Sequence, residues 1–187
     1  QREFIFNGLK NAKPEDYIMF SDPDEIPQPN ILANLKLNKK FGIFLQKMFC
    51  YKLNIYNPQE SLWEGSRICL KKNLKSIDFL RQKILKKNIR YPFWRIDKEK
   101  NIQLIDNGGW HFNYLSKPEK ISKKLKTFAH TEYNKDKFTK VDVIKVNINK
   151  MRDLFNKGYK YHKVQLDNTF PEYILNNQSK FTQWIEL

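Results

Sequence analysis

The sequence predicts an α/β fold in which strands are mixed with helices and a functional loop lies at a strand end. Three observations predict it. A short, continuously apolar run, Tyr17-Ile18-Met19-Phe20, is followed at once by Asp22-Pro23-Asp24-Glu25-Ile26-Pro27, and a run apolar at every position suits a strand covered on both faces. Phe41 to Tyr56 is rich in β-branched and aromatic residues, the composition of strands. Between such runs lie segments of helical periodicity, such as Leu74, Ile77, Leu80 and Ile84, whose single apolar stripe must be buried against a sheet. At 187 residues the chain is long enough for one domain, 1–187, with a sizeable core.

In chain order, Gln1 to Lys10 places Phe4, Ile5 and Leu9 on one helical side, and Asn11 to Pro14 turn into the first strand. The opening Gln1-Arg2-Glu3-Phe4-Ile5 reads like the middle of an amphipathic helix, which predicts a preceding segment. After the strand Tyr17 to Ser21 and the acidic loop, Pro29 suits the first turn of a helix carrying Ile31, Leu32 and Leu35. Phe41 to Tyr56 forms one long strand or two short ones, broken by Asn57-Pro58, and Ser66 to Lys71 a further strand. Leu74 to Leu85 is a helix with lysines on its outer face, and Ile102 to Ile105 approach a glycine-rich turn. Ser116-Lys117-Pro118-Glu119 has capping-box spacing before a stripe of Ile121, Leu125, Phe128 and Ala129. Thr139 to Asp142 starts a last helix running to Phe155, with Gly158 as its stop.

The formal charge is +15, carried mostly by lysines spread along every segment. Such a surface favours anionic partners, an anionic membrane surface among them. Nucleic acid is not expected, because no recognised binding module is present and the lysines do not line one face. Cys50 and Cys69 sit in apolar runs without metal-ligand spacing and read as buried free thiols, which fits a reducing, cytoplasmic compartment. No run approaches the ~20 apolar residues of a membrane span.

Two stretches carry candidate chemistry. In an extended segment alternate side chains point the same way, so Asp22 and Asp24 are placed to share one divalent cation, with Glu25 facing elsewhere. Carboxylates suit Mg²⁺ or Mn²⁺, which neutralise a departing diphosphate as Lewis acids. The same residues also make a good turn with solvated acids. In Asp106-Asn107-Gly108-Gly109-Trp110-His111-Phe112, the paired glycines allow close backbone approach, Trp110 offers a face to a sugar ring, and His111 can ligate a metal or bind phosphate. A plain turn, a core tryptophan and a core histidine are the bland counterparts.

Ser21-Asp22-Pro23-Asp24-Glu25-Ile26-Pro27, then Gly109-Trp110-His111-Phe112 and Pro118-Glu119, resemble the motif series of glycosyltransferase family 17 in order along nearly the whole chain. Arg2, Gly8-Leu9, Lys13-Pro14, Lys124-Leu125 and Phe128-Ala129-His130 add to the likeness. The resemblance implies a GT-A-type nucleotide-sugar fold, a Rossmann-like mixed sheet flanked by helices, whose first strands would precede Gln1. It also implies an inverting transfer of N-acetylglucosamine from a UDP-sugar donor to a glycan hydroxyl, with Mn²⁺ or Mg²⁺ as cofactor. On this footing Asp22, Asp24 and His111 are the metal ligands, with His130 in reserve. Glu25, Gly109, Trp110 and Arg67 contact substrate, Arg2 is a second diphosphate contact, and Glu119 is the base that takes the acceptor proton, with Asp106 and Glu64 as alternatives. Glu119 equally suits the ordinary role of a capping glutamate.

Two other classes fit parts of the pattern. A haloacid-dehalogenase-type phosphatase also places an aspartate pair after an apolar strand, with Asp22 as nucleophile, but it needs a downstream acidic cluster that the sequence lacks. A basic nucleic-acid binder without catalysis would use the charge and the interleaved aromatics.

Overall fold

A computed structural model describes residues 2–127 and 134–187, with side chains from residue 4 onward. The fold is mixed α/β. After a 3₁₀ helix at Arg2–Leu9 come β1 (Tyr17–Phe20), β2 (Glu25–Pro27), α1 (Pro29–Ala33), β3 (Phe41–Cys50), β4 (Ile55–Tyr56), β5 (Trp63–Leu70), α2 (Ile77–Gln82), β6 (Ile102–Ile105) and β7 (Gly109–Asn113). Then follow α3 (Pro118–Thr127), α4 (Asp136–Thr139), α5 (Val141–Asn149), β8 (His162–Lys163) and α6 (Glu172–Asn176). The chain forms two compact units, one of residues 1–47 and 62–111, the other of 48–61 and 112–187.

In the first unit β5 lies between β1 and β3, antiparallel to both, and β3 pairs in parallel with β6. The sheet is therefore mixed, and β3–β6 is its parallel ladder; nothing in it is particular to the GT-A type. One face carries Ile18, Phe20, Phe41, Ile43, Leu45, Cys69 and Ile102, covered by Leu74, Ile77, Leu80 and Ile84 from α2 and its flanks and by Phe6 and Leu9 of the 3₁₀ helix. The other face packs Phe44, Ile68 and Ile105 with Met19 beneath Ile31, Leu35 and Leu37. Double coverage explains why β1 and β3 are apolar at successive positions instead of alternating.

In the second unit the end of β3 turns back through Tyr51 (φ 68°) into β4, with Phe49 opposite Tyr56, and β4 pairs with β8. Asn54 ties this hairpin down: its amide donates to Val164 O (3.2 Å) and Glu186 O (2.8 Å), and its carbonyl accepts from Glu186 N (2.7 Å). Ile121, Leu125 and Ile144 supply buried residues from α3 and α5.

Three expectations about elements change. The helix predicted over Leu74 to Leu85 is regular only over Ile77–Gln82, because Ser76 caps it late by accepting from Phe79 N (3.0 Å); 3₁₀ turns flank it at Lys71–Asn73 and Lys86–Arg90. The helix predicted to reach Phe155 ends at Asn149. Met151 takes a left-handed φ of 48°, and the Asp153 carboxylate then accepts from Phe155 N and Lys157 N (both 2.8 Å) and Tyr159 N (3.1 Å), an alternative to helix for those amides. Finally, the acidic stretch after β1 is a turn, not an extension of the strand. Phe128, Ala129 and the reserve ligand His130 lie outside the described residues.

Candidate functional site

Asp22, Pro23, Asp24 and Glu25 form a four-residue turn closed by Glu25 N donating to Asp22 O at 2.9 Å. Proline at the second position and an aspartate at the first are what such a turn favours. The expected extended segment, with Glu25 facing elsewhere, is therefore replaced by a turn that brings Glu25 back to Asp22. Asp22 and Glu25 are the pair that converge. One Arg81 nitrogen, Nη2, lies 2.6 Å from Asp22 Oδ2 and 2.9 Å from Glu25 Oε1. Trp63 Nε1 donates to the same Glu25 oxygen at 3.0 Å, and Asp22 N donates to Glu25 Oε2 at 3.2 Å. The Glu25 side chain is 1% exposed, so these charge-assisted bonds are what make its burial tolerable.

Beneath the turn runs a buried polar chain. Ser21 Oγ donates to Glu25 O (2.8 Å), so the 2.7 Å contact between Ser21 and Ser66 hydroxyls must be donated by Ser66, which in turn faces Gln46 Nε2 at 3.4 Å. A Cβ on Gly65 would lie 1.8 Å from Gln46 Oε1, so a larger residue there would displace the Gln46 side chain from this chain of contacts.

Arg81 reaches the turn from α2 and also donates through Nη1 to Gly65 O (3.0 Å) and Glu64 O (3.3 Å). Arg67, expected to meet substrate, is 3% exposed instead. Its guanidinium donates to the carbonyls of Glu64, Gly65 and Ile84 and pairs with the Glu64 carboxylate at 3.5 Å. Burial, helped by the neighbouring Arg81 charge, pulls its pKa down to about 10 against the opposing pull of Glu64, Glu25 and Asp22. It stays charged at neutral pH and holds the β5 backbone, not a ligand. Glu64 is engaged likewise, accepting from Lys86 N at 2.8 Å.

The two motif stretches meet through a strand pair. β2 runs antiparallel to β7 with Glu25 opposite His111, Ile26 opposite Trp110 and Pro27 opposite Gly109. Gly109 has φ 117°, and a Cβ there would lie 2.0 Å from Ile26 O, so glycine is what lets the strands approach. His111 Nε2 faces Asp24 Oδ2 at 3.5 Å, and its ring packs on Trp63 with centroids 4.9 Å apart. His111 Nδ1 is buried without a hydrogen-bond partner. Trp110 is 3% exposed, a core residue and not the sugar platform its type suggested.

The remaining candidates stand elsewhere. Asp106 is exposed in the turn after β6. Glu119, in the second unit, begins α3 with its side chain 60% exposed and 3.5 Å from Lys145 Nζ. Arg2 is described in its backbone alone. Arg81 and Trp63 organise the site and were not singled out from sequence. A signal existed for the first: six of the 35 basic residues are arginine, and a lysine-rich chain keeps its arginines where a planar fork is needed.

Of the carboxylates gathered here Asp22, Asp24 and Glu64 reach solvent, with side chains 31%, 32% and 32% exposed. Among the described residues no three His, Cys, Asp or Glu side chains converge as a closed metal cage. Two solvent-facing carboxylates nevertheless suit a hard cation that takes its other ligands from phosphate and water. His111 fits less well as a ligand through Nε2, since its proton would then sit on the unpartnered, buried Nδ1. No protein-family model matches the chain, no curated protein is significantly similar to it, and no solved structure matches it.

Proposed function

We propose that the turn at Asp22–Glu25 and the strand at Gly109–His111 form the cation-and-diphosphate site of an inverting glycosyltransferase. It transfers a sugar, N-acetylglucosamine in the reading that the motif resemblance supplies, from a UDP-sugar to a glycan hydroxyl. The observation that supports this most is that Asp22 and Asp24, with side chains 31% and 32% exposed, lie in one four-residue turn that the β2–β7 pairing sets beside His111.

In this reading Asp22 and Asp24 hold Mn²⁺ or Mg²⁺, which supplies Lewis-acid neutralisation of the leaving diphosphate. Arg81 fixes Asp22 by pairing it to the buried Glu25, and His111 orients Asp24 from its flank.

The test is a Mn²⁺ titration followed by electron paramagnetic resonance on the intact protein, alongside Asp22→Asn and Asp24→Asn, then UDP-N-acetylglucosamine turnover with and without the cation. Each substitution is expected to weaken Mn²⁺ binding at least about tenfold, the effect of losing one anionic ligand. Equal Mn²⁺ affinity in wild type and both variants defeats the metal assignment. Cation binding without any UDP-sugar turnover defeats the transferase reading alone.

A further inference from the structure

The segment from Lys86 to Lys100 lies apart from the cluster just described and has its own character. Phe93 is 85% exposed, Trp94 66%, Ile96 93% and Ile89 41%. Single exposed apolar residues are ordinary, but four within eight positions form a patch that calls for an occupant. Around them stand Lys86, Lys87, Arg90, Arg95, Lys98 and Lys100, against Asp97 and Glu99. Asp97 is already neutralised, with Arg95 Nε and Nη2 on its two oxygens at 2.7 and 2.8 Å and Lys98 Nζ at 3.2 Å.

The loop holds these side chains outward by its own bonds. Arg95 N donates to Pro92 O (3.1 Å), Ile96 N to Trp94 O (2.9 Å) and Lys98 N to Arg95 O (3.2 Å). Lys100 Nζ closes the base by donating to Arg95 O at 2.6 Å. Arg95 and Lys98 both lie over the Tyr91 ring, at 5.2 and 5.8 Å. An apolar tip kept from collapsing onto its own fold is prepared for an outside surface.

We propose that this loop docks the protein on an anionic lipid bilayer, with Phe93, Trp94 and Ile96 entering the headgroup and acyl boundary while the basic ring meets anionic headgroups. Charge complementarity selects the occupant, and the aliphatic content separates it from nucleic acid. Base stacking uses flat aromatic faces, whereas the most exposed residue here is Ile96, and Phe93 meets Trp94 edge-on with an interplanar angle of 79°. Trp beside Phe and Ile, ringed by cations, is the composition of an interfacial anchor.

The test is co-sedimentation of the intact protein with phosphatidylcholine vesicles, plain or containing about one-third phosphatidylglycerol. Wild type is expected to partition to the anionic vesicles at least about tenfold better than to the neutral ones, from a handful of basic contacts. The triple substitution Phe93→Ser, Trp94→Ser, Ile96→Ser should lower that partition at least about tenfold, from lost apolar burial. Because all three side chains are exposed, its melting temperature should match wild type. Lipids brominated in the acyl chain should quench Trp94, and Trp94→Phe should retain binding while losing that signal. Failure of wild type to bind anionic vesicles overturns the proposal, as does wild-type partition by the triple variant, which would leave only the dispersed lysines. A single-stranded RNA that displaces the vesicles and loses affinity in the triple variant overturns it in favour of nucleic acid.

Discussion

Arg81 is the residue on which the acidic turn depends. It bridges two carboxylates through one nitrogen and two carbonyls through another, a fork that lysine's point charge does not reproduce. Replacing Arg81 with Met leaves the buried Glu25 charge without its cation and should cost about 3–5 kcal/mol in urea unfolding. Adding Glu25→Gln should recover part of that loss, since the orphaned charge is then gone. A double variant no better than Arg81→Met alone would show that the pair is not coupled. Arg81 escaped the sequence because Ile77, Leu80 and Ile84 define the apolar stripe and position 81 falls among the lysines. Asp22 and Asp24 were legible as functional candidates, but their orientation was not, since Pro23 bends the backbone where a strand was assumed.

At the level of elements, the pairing of β2 with β7 joins stretches whose opposed residues Glu25 and His111 are far apart in the chain. Nothing in a local pattern encodes that register. β1, β3 and α3 were legible because each carries its own apolar signal; α5 was misjudged because Asp153 captures the amides that would extend it. Gly109 is where the β2–β7 pairing is most exposed to substitution. Gly109→Ala must strain φ 117° and push on Ile26 O, so a loss of about 3 kcal/mol or more is expected in chemical denaturation. Gly8→Ala is the control: nothing lies within 4 Å of its added methyl, and its effect should stay within about 0.5 kcal/mol. Equal effects at the two positions would remove the special role given to Gly109.

Across the whole molecule both thiols are free and buried, as the sequence indicated. Burial pushes Cys69 and Cys50 up to about 12 from an ordinary 9.0, with Lys71 opposing for the first and a Tyr161 hydrogen bond for the second. The folded state thus favours the neutral thiol. Its contribution is complete below pH 9 and is lost as pH climbs from 9 toward 12, because unfolded thiols ionise first. The melting temperature should accordingly fall through that window, and Cys69→Ala should flatten the fall; an unchanged slope would assign it to other groups. Among the described residues no helix is long and apolar enough to cross a membrane. The division into units of 1–47 with 62–111 and of 48–61 with 112–187 also governs how the chain is born. A ribosome delivers residues 48–61 before β6 and β7 have been made, so that piece waits in the nascent chain for partners more than fifty residues behind it. A cut after residue 111 keeps the first body whole but still joined to 48–61 of the second, and a cut before residue 48 keeps the second whole but still joined to 62–111 of the first.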